Sequence, residues 1–177
     1  QEARRQRQMC IRDSYLDNTT NNKDNPNENY AREFLELFTI LKGPQIANGN
    51  YTNYTEHDIQ QAARVFSGIK VKPNRDNIDN DTGIPYGFVN NNQHDSGSKT
   101  FSEAFNFHTI QGGNNLQEVK DELSDFVEMI FSKTETAKAY CRKIYRFFIK
   151  REWDESVENQ IITPLADQLI NNNYNLL

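Results

Sequence analysis

No run of eighteen apolar residues occurs in this 177-residue chain, so nothing in it reads as a bilayer-spanning helix. Cysteine is scarce as well. Of the two, Cys10 lies in a leading segment set aside below, and the remaining thiol, Cys141, has no partner for an intramolecular disulfide, which leaves the redox compartment open. A basic surplus is also missing: 20 Lys and Arg stand against 25 Asp and Glu, a formal charge of -5, which argues against nucleic acid as a partner. There is no G-x-G-x-x-G, no P-loop and no G-x-S-x-G, so nucleotide cofactors and hydrolase elbows lack support. Nor is there an H-E-x-x-H or a cysteine pair, and His57, His94 and His108 lie in different segments, so zinc lacks support too. "NIDNDTG" alternates Asn77, Asp79 and Asp81 as a calcium loop begins. Its glycine comes one place late, and Phe88 stands where the bidentate glutamate belongs. No metal or cofactor is expected.

What is present is asparagine, 23 residues of it, gathered in clusters such as "NTTNNKDNPNEN", "NRDNIDNDTG" and "VNNNQ". These clusters lower the mean hydropathy to -0.87 and mark long loops. With 36% hydrophobic and 25% charged residues the chain is of the soluble, globular kind, and one domain is the default. Residues 1–14, "QEARRQRQMCIRDS", lack apolar periodicity, and "RQRQMCIRDS" resembles translated sequencing-adapter sequence, so they are excluded as a non-native extension. They carry +2, which leaves residues 15–177 at -7. That part is expected to be a fragment of one larger helical domain, since it stops at "NNYNLL" without a terminator.

A first helix opens at Asn27 or Asn29 and runs to about Ile40. At 100° per residue, Tyr30, Ala31, Phe34, Leu35, Leu37, Phe38 and Leu41 share an arc of roughly 160°, the expected core face. Glu28, Asn29, Arg32, Glu33, Glu36 and Thr39 lie opposite, with Ile40 the one apolar member there. "YTEHD" starts a second helix, with Thr55 and Asp58 close to a capping box and Gly68 just past its end. From Lys70 to Asn114 the period disappears, and only "YGFV" and "KTF" read as short strands. Two further helices follow across the short link "SKT", an antiparallel hairpin. Thr134 caps the second, which carries Ala137, Tyr140, Cys141, Ile144, Phe147 and Phe148 on its apolar face. The first has an acidic outer face (Glu118, Asp121, Glu122, Asp125, Glu128) and the second a basic one (Arg142, Lys143, Arg146, Lys150), so the two should ion-pair. A last helical segment starts at Asp154, with Pro164 in the first turn of a new helix. The expected fold is mainly α, a helical bundle with a long irregular loop and a short β-ribbon.

"PNENYAREFLELFT", "YTEHDIQQAARVFSG", "HDSGSKTF" and "TAKAYCRKIYRFFI" occur in this order and together resemble the bacterial domain-of-unknown-function 1800 family. The resemblance places family motif positions on Asn27, Glu28, Asn29, Arg32, Glu33 and Glu36, and on His94, Asp95, Gly97 and Lys99. It implies a largely helical, exported bacterial protein encoded near a second exported family related to sulfatases, and it brings no established activity. The chain departs from the family where Ser67, Gly68 and Ile69 replace Thr-Gly-Trp, and where "SEAF" replaces Leu-Gly after Lys99.

The candidate site residues are Glu28, Arg32, Glu33, His94, Asp95 and Lys99. Read for stability, Glu28 and Arg32 form an i, i+4 surface pair, Asp95 caps a turn, and Lys99 pairs with Glu33 or Glu36, fixing the loop onto the first helix. Read for catalysis, His94 is a general base oriented by Asp95 or by a glutamate of the first helix, acting with Glu28 and Glu33, while Arg32 and Lys99 contact an anionic group, in an exported hydrolase acting on a polar or sugar-like substrate. The stability reading is preferred: a structural or binding module of a larger exported chain, with another exported protein as partner.

Overall fold

A computed structural model describes residues 15–70, 78, 83 and 87–175. The chain is mainly α-helical. A short 3-10 helix, Tyr15–Thr20, leads into α1 (Glu28–Glu33), capped by the Asn27 side chain, which accepts from Asn29 N. The "NTTNNKDNPNEN" cluster proves to be a hub. Asn21 is fully buried, donating from Nδ2 to Ala63 O (2.8 Å) and accepting from Asn27 N (3.0 Å), so one side chain ties the loop to two helices.

The first helix does not run regularly to Ile40. From Phe34 to Phe38 it widens into a π-turn, in which each N–H reaches back one residue further than in an α-helix. That extra residue per turn rotates everything after it. Ala31 and Leu35 are buried as expected, but Leu37 and Phe38 are 49% and 50% exposed, and Ile40, assigned to the polar arc, is fully buried.

A hairpin of β1 (Gln45–Ala47) and β2 (Asn50–Tyr51) follows, turning at Asn48 and Gly49 (φ +73°). Then α2 (Glu56–Val65) begins with the full capping box: Thr55 accepts from Asp58 N, and Asp58 accepts from Thr55 N. Past its end Gly68 takes φ +71°, as the sequence implies. "YGFV" and "KTF" do contribute strands, each pairing with a segment that carries no strand signal. β4 (Phe88–Val89) pairs with β3 (Ile69–Lys70), and β5 (Lys99–Thr100) with β6 (Thr109–Ile110). The "NIDNDTG" loop lies outside the described residues, apart from Ile78 and Gly83.

The helix pair α3 (Leu116–Phe131) and α4 (Thr134–Phe148) is joined at Ser132 and Lys133, and Thr136 Oγ1 closes the corner by donating to Ile130 O (2.6 Å). Lys133, not Thr134, occupies the N-cap of α4, and its side chain caps nothing. The expected pairing of α4's basic face with α3 does not form. Arg142 turns instead to Glu135 on its own helix and to Glu158, while Lys143 donates to Leu37 O. After Asp154 the chain stays helical through α5 (Glu155–Val157), a π-turn (Glu158–Ile162) and α6 (Thr163–Asn171), so Pro164 opens a regular stretch without a break before it.

Two apolar clusters result. The larger joins α1, α2, α3 and the loop through Phe34, Phe66, Phe101 and Phe126, with Phe126 5.4–5.8 Å from the other three rings, contacts worth about 0.5–1.5 kcal/mol each beyond their burial. The smaller joins α4 to α6 through Ala137, Cys141, Tyr145, Ile162, Ala166 and Leu169. Burial raises the pKa of the Cys141 thiol, as expected of a packing residue.

Candidate functional site

The β5 strand sets the first element of the site. Successive side chains on a strand point to opposite faces, and here Lys99 and Phe101 go inward while Thr100 faces solvent. The buried ammonium needs an anion, and the one it meets is Glu122 of α3: Lys99 Nζ lies 2.7 Å from Glu122 Oε1, with both side chains 0% exposed. This corrects the expectation that Lys99 pairs with Glu33 or Glu36. Oε1 receives no well-directed hydrogen bond, so charge holds that contact, and the ammonium donates also to Asp95 O.

The other oxygen of Glu122 is fully engaged. Oε2 accepts from Gly113 N (2.8 Å) and lies 2.9 Å from His94 Nε2. His94, 1% exposed at its side chain, turns Nδ1 to Ser67 O at 2.7 Å. A carbonyl oxygen only accepts, so Nδ1 carries a proton, and Nε2 faces the Glu122 carboxylate. Both ring nitrogens are thus occupied from inside the protein. Two glycines permit this closeness: a Cβ on Gly68 would come within 2.6 Å of His94 N, and one on Gly113 within 2.4 Å of Val119 N.

Asp95 points away from His94 and grips α2. Its carboxylate accepts from Arg64 Nε (2.7 Å) and Nη2 (3.2 Å) and from Gly97 N (2.9 Å), while its own N–H donates to Ser67 Oγ (2.9 Å). Burial alone would raise the Asp95 pKa, but the Arg64 and Gly97 hydrogen bonds and the nearby positive charge of Arg64 and Lys99 outweigh it, and the carboxyl lies below the ordinary aspartate value. A depressed pKa in the folded state contributes stability that is present above the unfolded value, near pH 4, and is lost as pH falls through the folded one. The melting temperature should therefore drop as pH is lowered below about 4, and Asp95→Asn should flatten that drop. An unchanged slope in a pH series of melts would contradict the assignment.

The helix-one residues form a separate, wetter group. Arg32 reaches Glu28 (3.4 Å) and clasps both oxygens of Glu56, Nη1 to Oε2 at 3.1 Å; the hydrogen bond from Arg32 holds the Glu56 pKa low. Glu36 accepts from Tyr54 Oη (2.7 Å) and pairs with Lys42 (3.0 Å), and burial with this carboxylate contact raises the Tyr54 pKa. The Glu33 side chain has neither a hydrogen bond nor an ion pair among the described residues. No hydrogen bond or ion pair joins Glu28, Arg32 or Glu33 to His94, Asp95 or Lys99, so the six candidates separate into two groups.

Sequence reasoning missed Glu122, Arg64, Ser67 and Gly113, and missed a second buried carboxylate. Asp58 accepts from Ser102 N and Ser102 Oγ, both at 2.7 Å, besides closing the cap of α2. Ser102 opens the "SEAF" stretch, and its two contacts to Asp58 anchor the loop there. A signal for Glu122 did exist: at 100° per residue it sits roughly 40° from Phe126 and 20° from Met129, inside the buried arc.

Among the described residues, no three His, Cys, Asp or Glu side chains are grouped so as to hold a metal ion, and no helix is long and apolar enough to cross a membrane. No curated protein and no solved structure matches the chain. A family model does match, over residues 5–177, beginning inside the leading segment set aside above. The chain therefore belongs to the family described as protein of unknown function, DUF1800.

Proposed function

We propose that this chain is a structural or binding module in which the His94–Glu122–Lys99 cluster acts as a latch, holding the irregular midsection against α2 and α3. The observation that carries the reading is the burial of three ionisable side chains, at most 1% exposed, whose polar contacts all come from the protein itself. A general base must reach the proton it removes. His94 presents no free nitrogen to an incoming molecule, which weighs against the hydrolase reading. The helix-one carboxylates, with no hydrogen bond or ion pair to His94, supply no second half of such a site.

Diethyl pyrocarbonate labelling tests this directly. His57 is exposed and His108 half-exposed, so both should be modified in the folded chain, whereas His94 should react only after unfolding, as peptide mass spectrometry would read. Labelling of His94 at the rate of His57 would sink the latch. In the same reading Glu33→Ala should leave the melting temperature within about 1 °C of wild type, since the side chain has no partner to lose. A large loss in that variant would revive the helix-one strut.

The habits of the family support two extensions of the proposal: that the protein is exported, and that a sulfatase-related exported protein is its partner. Cell fractionation of the producing organism that placed the chain with cytoplasmic markers would remove both.

A further inference from the structure

The C-terminal end of α4 is basic in an otherwise acidic chain. Residues 142–151 read "RKIYRFFIKR", five basic residues and no acidic one, in a chain whose formal charge is -5. Within this stretch three bulky apolar side chains stand in a row at the surface: Phe147, Phe148 and Ile149 are 81%, 75% and 69% exposed. A contiguous apolar patch of this kind is uncommon on a face that meets only water. This end of α4 uses none of the latch residues.

Arg142, one turn earlier, is held by Glu135 and Glu158, but Arg146, Lys150 and Arg151 form no ion pair among the described residues. Arg146 lies over the Trp153 ring, 5.6 Å from its centroid, and Glu152 is the single acidic residue between Lys150 and Trp153. We infer that the end of α4 docks on an anionic lipid surface, with Phe147, Phe148 and Ile149 entering the headgroup boundary and Arg146, Lys150 and Arg151 meeting lipid phosphates. Apolar insertion and cationic attraction to anionic headgroups act together in interfacial binding, and neither alone holds a protein firmly. A second copy of the chain fits less well. A two-fold contact through this patch would bring two sets of Arg146, Lys150 and Arg151 together, and like charges repel.

Vesicle co-sedimentation of the full 177-residue chain is the test. Vesicles of phosphatidylcholine with phosphatidylglycerol should pellet the protein, vesicles of phosphatidylcholine alone should pellet little, and added salt should lower the bound fraction. Both Phe147→Ser/Phe148→Ser and, separately, Lys150→Ala/Arg151→Ala should weaken binding about tenfold or more. Trp153, the single tryptophan, gives a second readout: its emission should shift to the blue on adding anionic vesicles. All four substituted side chains are exposed, so circular dichroism melts should match wild type; if the serine variant unfolds, the alanine variant still decides. Failure to pellet with anionic vesicles would overturn the inference and leave the face to a protein partner. Equal binding by either folded variant would overturn it as well, as would dimerisation in light scattering that Phe147→Ser/Phe148→Ser abolishes while anionic vesicles pellet nothing.

Discussion

Glu122→Ala should destabilise the protein by about 3–5 kcal/mol, because it leaves the Lys99 ammonium buried with no counter-charge and strips His94 and Gly113 N of their common acceptor. Urea denaturation at neutral pH measures it. Two controls say which part of the loss is charge. Glu122→Gln keeps an oxygen for Gly113 N but gives up the anion, so it should recover only part of the stability. The double substitution Lys99→Met/Glu122→Leu removes both charges and keeps apolar volume, and replacing a buried pair in this way is often close to neutral. It should therefore lie well above Glu122→Ala. If Glu122→Ala unfolds within about 1 kcal/mol of wild type, the cluster is not what holds the midsection down.

The same carboxylate shows where the sequence is a good guide and where it is not. Local signals were legible: Thr55 and Asp58 cap α2, Gly68 ends it, and the link at Ser132 and Lys133 separates two long helices. Each is written within a few neighbouring residues, so periodicity and capping preferences suffice. The partners of charged groups are not local. Lys99 meets Glu122 across 23 positions, and nothing near Lys99 distinguishes Glu122 from Glu33 or Glu36 as its acceptor. Counting Glu122 with Glu118, Asp121, Asp125 and Glu128 as one solvated face hid the fact that it alone falls on the buried arc. The π-turn at Phe34–Phe38 is a different kind of miss. Its residues all favour an ordinary helix, and the widened turn that buries Ile40 and exposes Leu37 and Phe38 is set by packing, which local propensity does not encode. Of the six candidates, Glu28, Arg32 and Glu33 belong to the surface of α1, and His94, Asp95 and Lys99 to the interior seam between α2 and α3.

Asp58→Ala should cost about 3 kcal/mol, well above an ordinary N-cap loss of about 1 kcal/mol. The excess comes from the second task of this side chain. Besides receiving Thr55 N and Thr55 Oγ1 at 2.7 and 2.9 Å, it receives Ser102 N and Ser102 Oγ, and so ties the start of α2 to the chain just after β5. With the carboxylate gone, Ser102 N has lost its one acceptor beside a fully buried aspartate position, where water is a poor substitute. Ser102→Ala removes only the hydroxyl contact and leaves the N–H to Oδ1 in place, so on its own it should cost about 1 kcal/mol. The two substitutions share a partner, and a double-mutant cycle should return a coupling of at least 0.5 kcal/mol. Additive losses, with Asp58→Ala no worse than a cap, would mean that the midsection rests on the start of α2 without being fastened at that end. The His94–Glu122–Lys99 cluster and the Arg64–Asp95 pair would then hold the midsection without it.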